Sequence, residues 1–405
     1  MSSLVWLFLF SSPQGQVCVT KPPTWRANMA SYYHSSNQST VTFLTAETDF
    51  GLKLLGQTSI NETLVVSPLS VILALAAIQM GAKGTTRTQI NQAISVGATE
   101  IETIRYYSHL SEEVRKQRMG TRTEIANGIF MDKKVAVRKS YGLSIVKKFS
   151  SKVKSLRFSR KEAVTESVDR YVSYRTTGRI RHINTPSRIQ DALSLLVSAA
   201  SFTSQWEYSF VRKSNTFGMF YSAEHSERKV EFMNVIRQNR YYAEDQDMQV
   251  LSLRYRDTSY ALNIFLPKQK SAFSTLRAKL TGAAIQASLS QLKSTYVSAS
   301  IPKMRIVTEF KLKAALMALG VSELFSEHCD LGGITKSRAV KVSFAEHKAI
   351  IEVCEGGTTE EESDSAYKPT LESAMSGEPI SFIADHPFFF VLTKDKNPLF
   401  IGQYV

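Results

Sequence analysis

The chain has 405 residues, 43% of them hydrophobic, with 19 glycines and 11 prolines, a composition that excludes disordered, collagen-like and fibrous classes. Lys and Arg outnumber Asp and Glu by 50 to 36, so the formal charge of +14 favours acidic partners such as polysaccharide sulfates, nucleic acid or anionic membrane. No segment reaches the roughly 18 consecutive apolar residues that a membrane span needs, and no repeat or Pro/Gly/Ser-rich linker divides the body of the chain, so one large domain is expected.

The chain opens with LVWLFLF, a short apolar run with no basic residue before it and no clear small-x-small cleavage site after it. Residues 1–28 therefore read as an N-terminal extension or a poor signal peptide, and Met29 is a second plausible start. Cys18, Cys329 and Cys354 make an odd count without a CxxC pair, which excludes a dense disulfide framework and a tetrathiolate zinc site.

SVILALAAIQMGAKG, Ser70 to Gly84, is apolar almost all round and predicts a buried helix, started by Ser67-Pro68 and stopped by glycines. IANGIFM, from Ile125, predicts a short strand. KKFSSKVKSLRFSRK, Lys147 to Lys161, contains no acid and reads first as a solvated basic helix-and-strand surface. Its aromatics do not interleave as stacking platforms, so nucleic acid is not expected there. Lys147, Lys148, Lys152 and Lys154 are its candidate contacts for a sulfated polysaccharide. ESVDRYVSYRTTG places Val168, Tyr171, Val172 and Arg175 on one helical face, with a stop at Gly178.

LSLLVSAASF, from Leu193, and LNIFLP, from Leu262, predict buried strands. TEFKLKAALMALG predicts a helix capped by Thr308 and ended by Gly320. AIIEV reads as a strand buried on much of both faces, and PFFFVLT and PLFIGQY predict two closing strands. Strands and helices alternate without a regular βα beat, which indicates an α+β fold with large antiparallel or mixed sheets.

The chain carries no Walker A loop, GxGxxG, HExxH or GxSxG motif, and no metal or cofactor is expected. His328-Cys329-Asp330 reads as a surface turn, and Asp385-His386 as a turn that positions the strand after it. An enzyme is not the expectation.

Taken together, LVVSPLSVILALAAIQMGAKGTT, ANGIF, TTGRI, LVSAASFTSQWEYSF, VEFMN, IPKMRI, LKAALMALGVSELF, EHKAIIEVCEGGTT, FIADHPFFFVL and PLFIG resemble the serpin family in both wording and order. The resemblance runs from about Thr45 to the C-terminus, and the body resembles intracellular-type invertebrate members. It implies a serpin domain over 29–405: three β-sheets, about nine helices and an exposed reactive-centre loop at about 355–381. It also implies a monomeric inhibitor of serine or cysteine proteases, extracellular by family, or cytoplasmic if translation starts at Met29. The protease cleaves the loop and is held as an acyl-enzyme while the freed loop inserts into the central sheet, releasing stored conformational energy.

By position, Glu355, Gly357, Thr358 and Thr359 match the family's hinge, followed here by Glu360, Glu361, Glu362 and Asp364. Family spacing puts the scissile bond at Leu371-Glu372, or at Glu372-Ser373 with a one-residue shift. Leucine before the cut suits chymotrypsin-like or elastase-like proteases. Ser67, Ser70, Ser198 and His347 match the region where the sheet opens.

Two departures stand out. Inserted strands bury every second side chain. With Thr358 facing inward, the next inward positions are Glu360, Glu362 and Asp364, where inhibitory members carry small apolar residues. Protonating three such acids at pH 7 costs roughly 11–12 kcal/mol if all are buried unpaired, against a net gain of roughly 5–15 kcal/mol from about ten new sheet hydrogen bonds. The expected outcome of that contest is cleavage without trapping. The second departure is Ser198, where the family usually has an asparagine bonded to the histidine matching His347; a water could bridge the shorter serine.

Overall fold

The structure, a computed structural model, describes residues 42–183, 189, 192–222, 226–337, 340–358 and 377–405, all within one compact unit, Thr42–Val405. A helix through 42–56 (α1) leads to a short strand β1 (Leu64–Val66) and then to α2 (Pro68–Gln79), whose residues are all buried. Ser67 Oγ caps α2 by accepting from Ser70 N at 3.3 Å, and Pro68 occupies the first turn, where its missing N–H costs nothing. Helices α3 (Gly84–Ile94) and α4 (Glu100–Glu113) follow, and Thr99 with Glu102 forms a capping box at the start of α4.

The central sheet has five strands in the order β10 (Met304–Lys311), β11 (Phe344–Val353), β4 (Ser194–Thr203), β2 (Arg122–Asp132), β3 (Lys152–Leu156). Between β2 and β3 lies α5 (Lys139–Phe149), and α6 (Lys161–Arg175) packs on one sheet face through Val164, Val168 and Val172. The other face carries α2 and the main core, which includes Leu196, Ala200 and Phe202 of β4. The strand period of two divides β4 cleanly: even-numbered apolar residues face the main core, while Leu195, Val197 and Ala199 face α6.

A second, nine-stranded set contains β5 (Thr216–Tyr221), β6 (Glu227–Glu244), β7 (Met248–Arg254), β8 (Tyr260–Pro267), β9 (Lys293–Pro302), β12 (Ile380–Ile383), β13 (Phe388–Lys394) and β14 (Asn397–Tyr404), together with β1. It bends at β6, whose pairing with β9 shifts register between Val235 and Gln238, where Arg237 takes φ 52°. The first part of β6 pairs with β5 and its last part with β7, so the expected second and third sheets share this one strand. Two short helices, α7 (Phe273–Lys279) and α8 (Gly282–Gln291), bridge β8 and β9.

One expected boundary is corrected. Thr308 does not cap a helix: it lies in β10 opposite Ala349, and its Oγ1 accepts from Val65 N at 2.8 Å. The helix α9 spans only Leu312–Ala318, and Gly320 ends it at φ 90°. The inward alternation of Met304 and Ile306 commits TEFK to the sheet, and pairing with β11 outweighs the local helical pattern.

Candidate functional site

Strands β4 and β11 are parallel neighbours, paired from Phe344↔Leu195 to Ile350↔Ser201. Parallel neighbours cannot be joined by a tight turn, so the seam between these two is bridged only by long connections. A buried polar cluster sits at the middle of the seam. His347, opposite Ser198 and fully buried, accepts a hydrogen bond on Nε2 from Ser67 N at 3.0 Å. That bond fixes the tautomer: Nδ1 carries the proton and meets Ser198 Oγ at 3.2 Å. Ser198 thus reaches His347 directly, without the bridging water that its short side chain suggested. Ser198 Oγ also lies 2.7 Å from Ser70 Oγ, and Ser67 Oγ donates to Leu399 O at 2.7 Å. Burial pushes His347 down to about 4, so the ring is neutral at pH 7.

The seam's upper end differs. Beyond Ile350, β11 is no longer paired with β4, and the chain turns at Cys354–Gly357. Gly357 takes φ 140°, and a Cβ there would lie 2.0 Å from Ser204 O, so only glycine fits. Thr358 then docks just past the end of β4: its N donates to Ser204 O at 2.8 Å, and its Oγ1 accepts from Ser204 N at 2.6 Å. Gly357 forms an antiparallel bridge with Gln205, and Thr358 is fully buried. Neighbours fix the turn from outside. Trp206 Nε1 donates to Cys354 O at 2.8 Å, Trp206 N to Gly356 O at 3.0 Å and Phe210 N to Glu355 O at 3.0 Å. The Glu355 carboxylate receives Asn215 Nδ2 at 2.6 Å and Lys303 Nζ at 3.1 Å. Burial alone would raise that carboxyl, but its own backbone amide, Asn215 and Lys303 together hold it below the usual glutamate value.

A family profile described as "Serpin (serine protease inhibitor)" matches residues 45–405. The chain is a serpin. Serine protease inhibitor 42Dd of Drosophila melanogaster is 30% identical, over 87% of this chain and 94% of its own. Among solved structures, native protease nexin-1 with heparin superposes with a TM-score of 0.80 at 21% identity, covering 90% of this chain and 98% of that one. Human thyroxine-binding globulin complexed with its hormone gives 0.79 at 21%, covering 90% and 98%. Both structures confirm the serpin fold. The role of this family is protease inhibition rather than catalysis.

Of the residues singled out from sequence, Ser67, Ser70, Ser198 and His347 come together at mid-seam, and Glu355, Gly357 and Thr358 at its upper end. Thr359, Glu360, Glu361, Glu362, Asp364, Leu371, Glu372 and Ser373 lie outside the described residues. Lys147 and Lys148 are exposed on the last turn of α5 and Lys152 at the start of β3, whereas Lys154 is half-buried and donates to Ser167 Oγ at 2.6 Å. Asp385 and His386 form a turn: the His386 ring bridges Asp385 Oδ1 and Pro267 O, both at 2.8 Å.

Sequence reasoning missed Asn127 of β2. Its side chain accepts from Ser70 Oγ at 3.2 Å and donates to Ser70 O at 2.8 Å, completing the mid-seam cluster. The signal was an amide inside the apolar run IANGIFM, which must find partners if buried. Tyr171 of α6 reaches the same strand, donating to Asn127 O at 2.8 Å and packing edge-on to Phe130. The docking set Ser204, Trp206, Asn215 and Lys303 was also missed, because it gathers from segments far apart in sequence.

Proposed function

We propose that this serpin inhibits a serine protease as a suicide substrate, through a bait loop cleaved near Leu371-Glu372. The observation that carries this reading is the seating of Gly357 and Thr358 in antiparallel register at the upper end of the β4–β11 seam. A loop strand begun there needs only to continue downward while β11 parts from β4. The apolar residue Leu371 before the cut favours chymotrypsin-like or elastase-like enzymes. The test is whether an SDS-stable complex forms with such a protease; cleaved loop without complex at every stoichiometry would overturn the reading.

A second reading, a serpin that is cleaved but does not trap, is favoured by the same register. Stepping two residues down each strand from Thr358–Ser204 sets Glu360 opposite Phe202, Glu362 opposite Ala200 and Asp364 opposite Ser198. Opposite residues in an antiparallel pair share a face. Phe202 and Ala200 face the main core, and Ser198 faces the His347 cluster. All three acids would therefore enter the apolar side of the sheet, and Asp364 would arrive beside a neutral imidazole. The change in melting temperature on loop cleavage separates the readings: a large rise reports full insertion, and an unchanged midpoint reports none.

A further inference from the structure

At another surface of the molecule, three segments remote in sequence meet around the turn Asp330–Ser337. Lys83 N donates to Asp330 O at 2.9 Å and Asp330 N to Thr86 Oγ1 at 3.0 Å, tying in the start of α3. Arg138 N donates to Ile334 O at 2.8 Å and Lys336 N to Ala136 O at 3.1 Å, tying in the approach to α5. The three segments enclose an open cleft of about 490 Å³, and each supplies one cation: Lys83, Arg138 and Lys336.

Two of these side chains converge on Gly332. The Lys83 methylenes pass 3.6 Å from where a Gly332 Cβ would stand, and Arg138 Nε donates to Gly332 O at 3.0 Å. The lining contains one carboxylate, Asp330, and its Oδ1 is occupied by Gly332 N at 2.9 Å. None of the three cations forms an ion pair with a described residue, and the ammonium groups of Lys83 and Lys336 and the Arg138 Nη atoms have no hydrogen-bond acceptor among them. Nearby Lys341, by contrast, pairs with Glu327. Thr335 Oγ1 and Ser337 Oγ, which could otherwise recognise a neutral ligand, are engaged with Ala136 O and Ala136 N.

Like charges gathered at a concavity repel one another and raise the local concentration of anions. A planar guanidinium with free Nη donors and two ammoniums match an oxyanion, the arginine in bidentate fashion and the lysines as point charges. We propose that this cleft binds a sulfate or phosphate group through Lys83, Arg138 and Lys336. The Lys147–Lys154 surface is a separate region, starting in the last turn of α5, about 14 Å along the helix axis from Arg138.

The test uses the full chain and two probes, inorganic phosphate and a heparin tetrasaccharide, with sodium chloride matching ionic strength. Phosphate is expected to raise the melting temperature above the chloride control, and Lys83→Gln/Arg138→Gln/Lys336→Gln to abolish that rise. Lys147→Gln/Lys148→Gln/Lys152→Gln should keep it. Lys336→Gln alone alters an exposed side chain with no hydrogen bond or ion pair among the described residues, so folding is preserved, and binding by calorimetry should weaken about tenfold. Tighter binding of the tetrasaccharide than of phosphate, lost in the same variants, identifies a group borne on a saccharide; equal or weaker binding identifies the free ion. A rise that is identical in the wild type and both cleft variants, or no rise with either probe, overturns the proposal.

Discussion

The middle and the upper end of the β4–β11 seam are built from the same two strands but held in opposite ways. At mid-seam every polar group has a partner: His347, Ser198, Ser70, Ser67 and Asn127 bond to one another while the strands stay paired. At the upper end the strands have parted, and Thr358 pairs with Ser204 in place of β11. Buried polar networks are costly to half-satisfy, so the middle resists opening, whereas the end already presents an edge in register. On the proposed reading, the acids after Thr358 set the cost of propagating that start.

The largest expected effect comes from removing those acids. Glu360→Ala/Glu362→Ala/Asp364→Ala eliminates a penalty of up to roughly 11–12 kcal/mol, and should raise the fraction of protease held in SDS-stable complex. An unchanged fraction would move the cause of any failure to the seam itself.

The upper end can be broken directly. Gly357→Val forces a Cβ into Ser204 O and an unfavourable φ, worth at least about 1–3 kcal/mol locally. It should expose the Thr358 amide to hydrogen exchange and abolish any complex, while leaving the melting temperature of the uncleaved chain within a few degrees.

The middle can be broken by His347→Ala, which strands Ser67 N and Ser198 Oγ and should cost about 2–4 kcal/mol in urea unfolding. The same residue predicts a pH dependence. In the unfolded chain a histidine takes its proton near pH 6.5, whereas folded His347 resists until about pH 4. The unfolded state binds the extra proton in that window, so stability falls as pH drops through it, by at most about 1.4 kcal/mol per unit. His347→Gln should flatten this part of the profile relative to wild type.

The smallest effect belongs to Ser198→Ala, which removes bonds to His347 and Ser70 and should cost about 1 kcal/mol. Because it loosens only the middle, it should also speed trapping in the triple-alanine background; slower trapping would show that Ser198 assists opening.

Much of this was legible from the chain itself. The all-round apolar run of α2, the capping serine before it and the buried strands β4, β11 and β13 follow from pattern, because burial period and turn chemistry are local properties. Gly357 was singled out by its place in the family's order, and the structure gives it φ 140° in the turn after β11. Thr308 was misread because a helical pattern and a strand edge overlap there, and pairing with β11 is not encoded within that window.

What the sequence determined alone, then, is the family, the elements and the acidic departure after the hinge. The tertiary structure decided the rest: the tautomer of His347, the part played by Asn127, the antiparallel register of Gly357 against Gln205, and the meeting of Lys83, Arg138 and Lys336. These all depend on contacts between residues tens to hundreds of positions apart, where hydrogen-bond geometry and charge proximity exist only once the chain has folded.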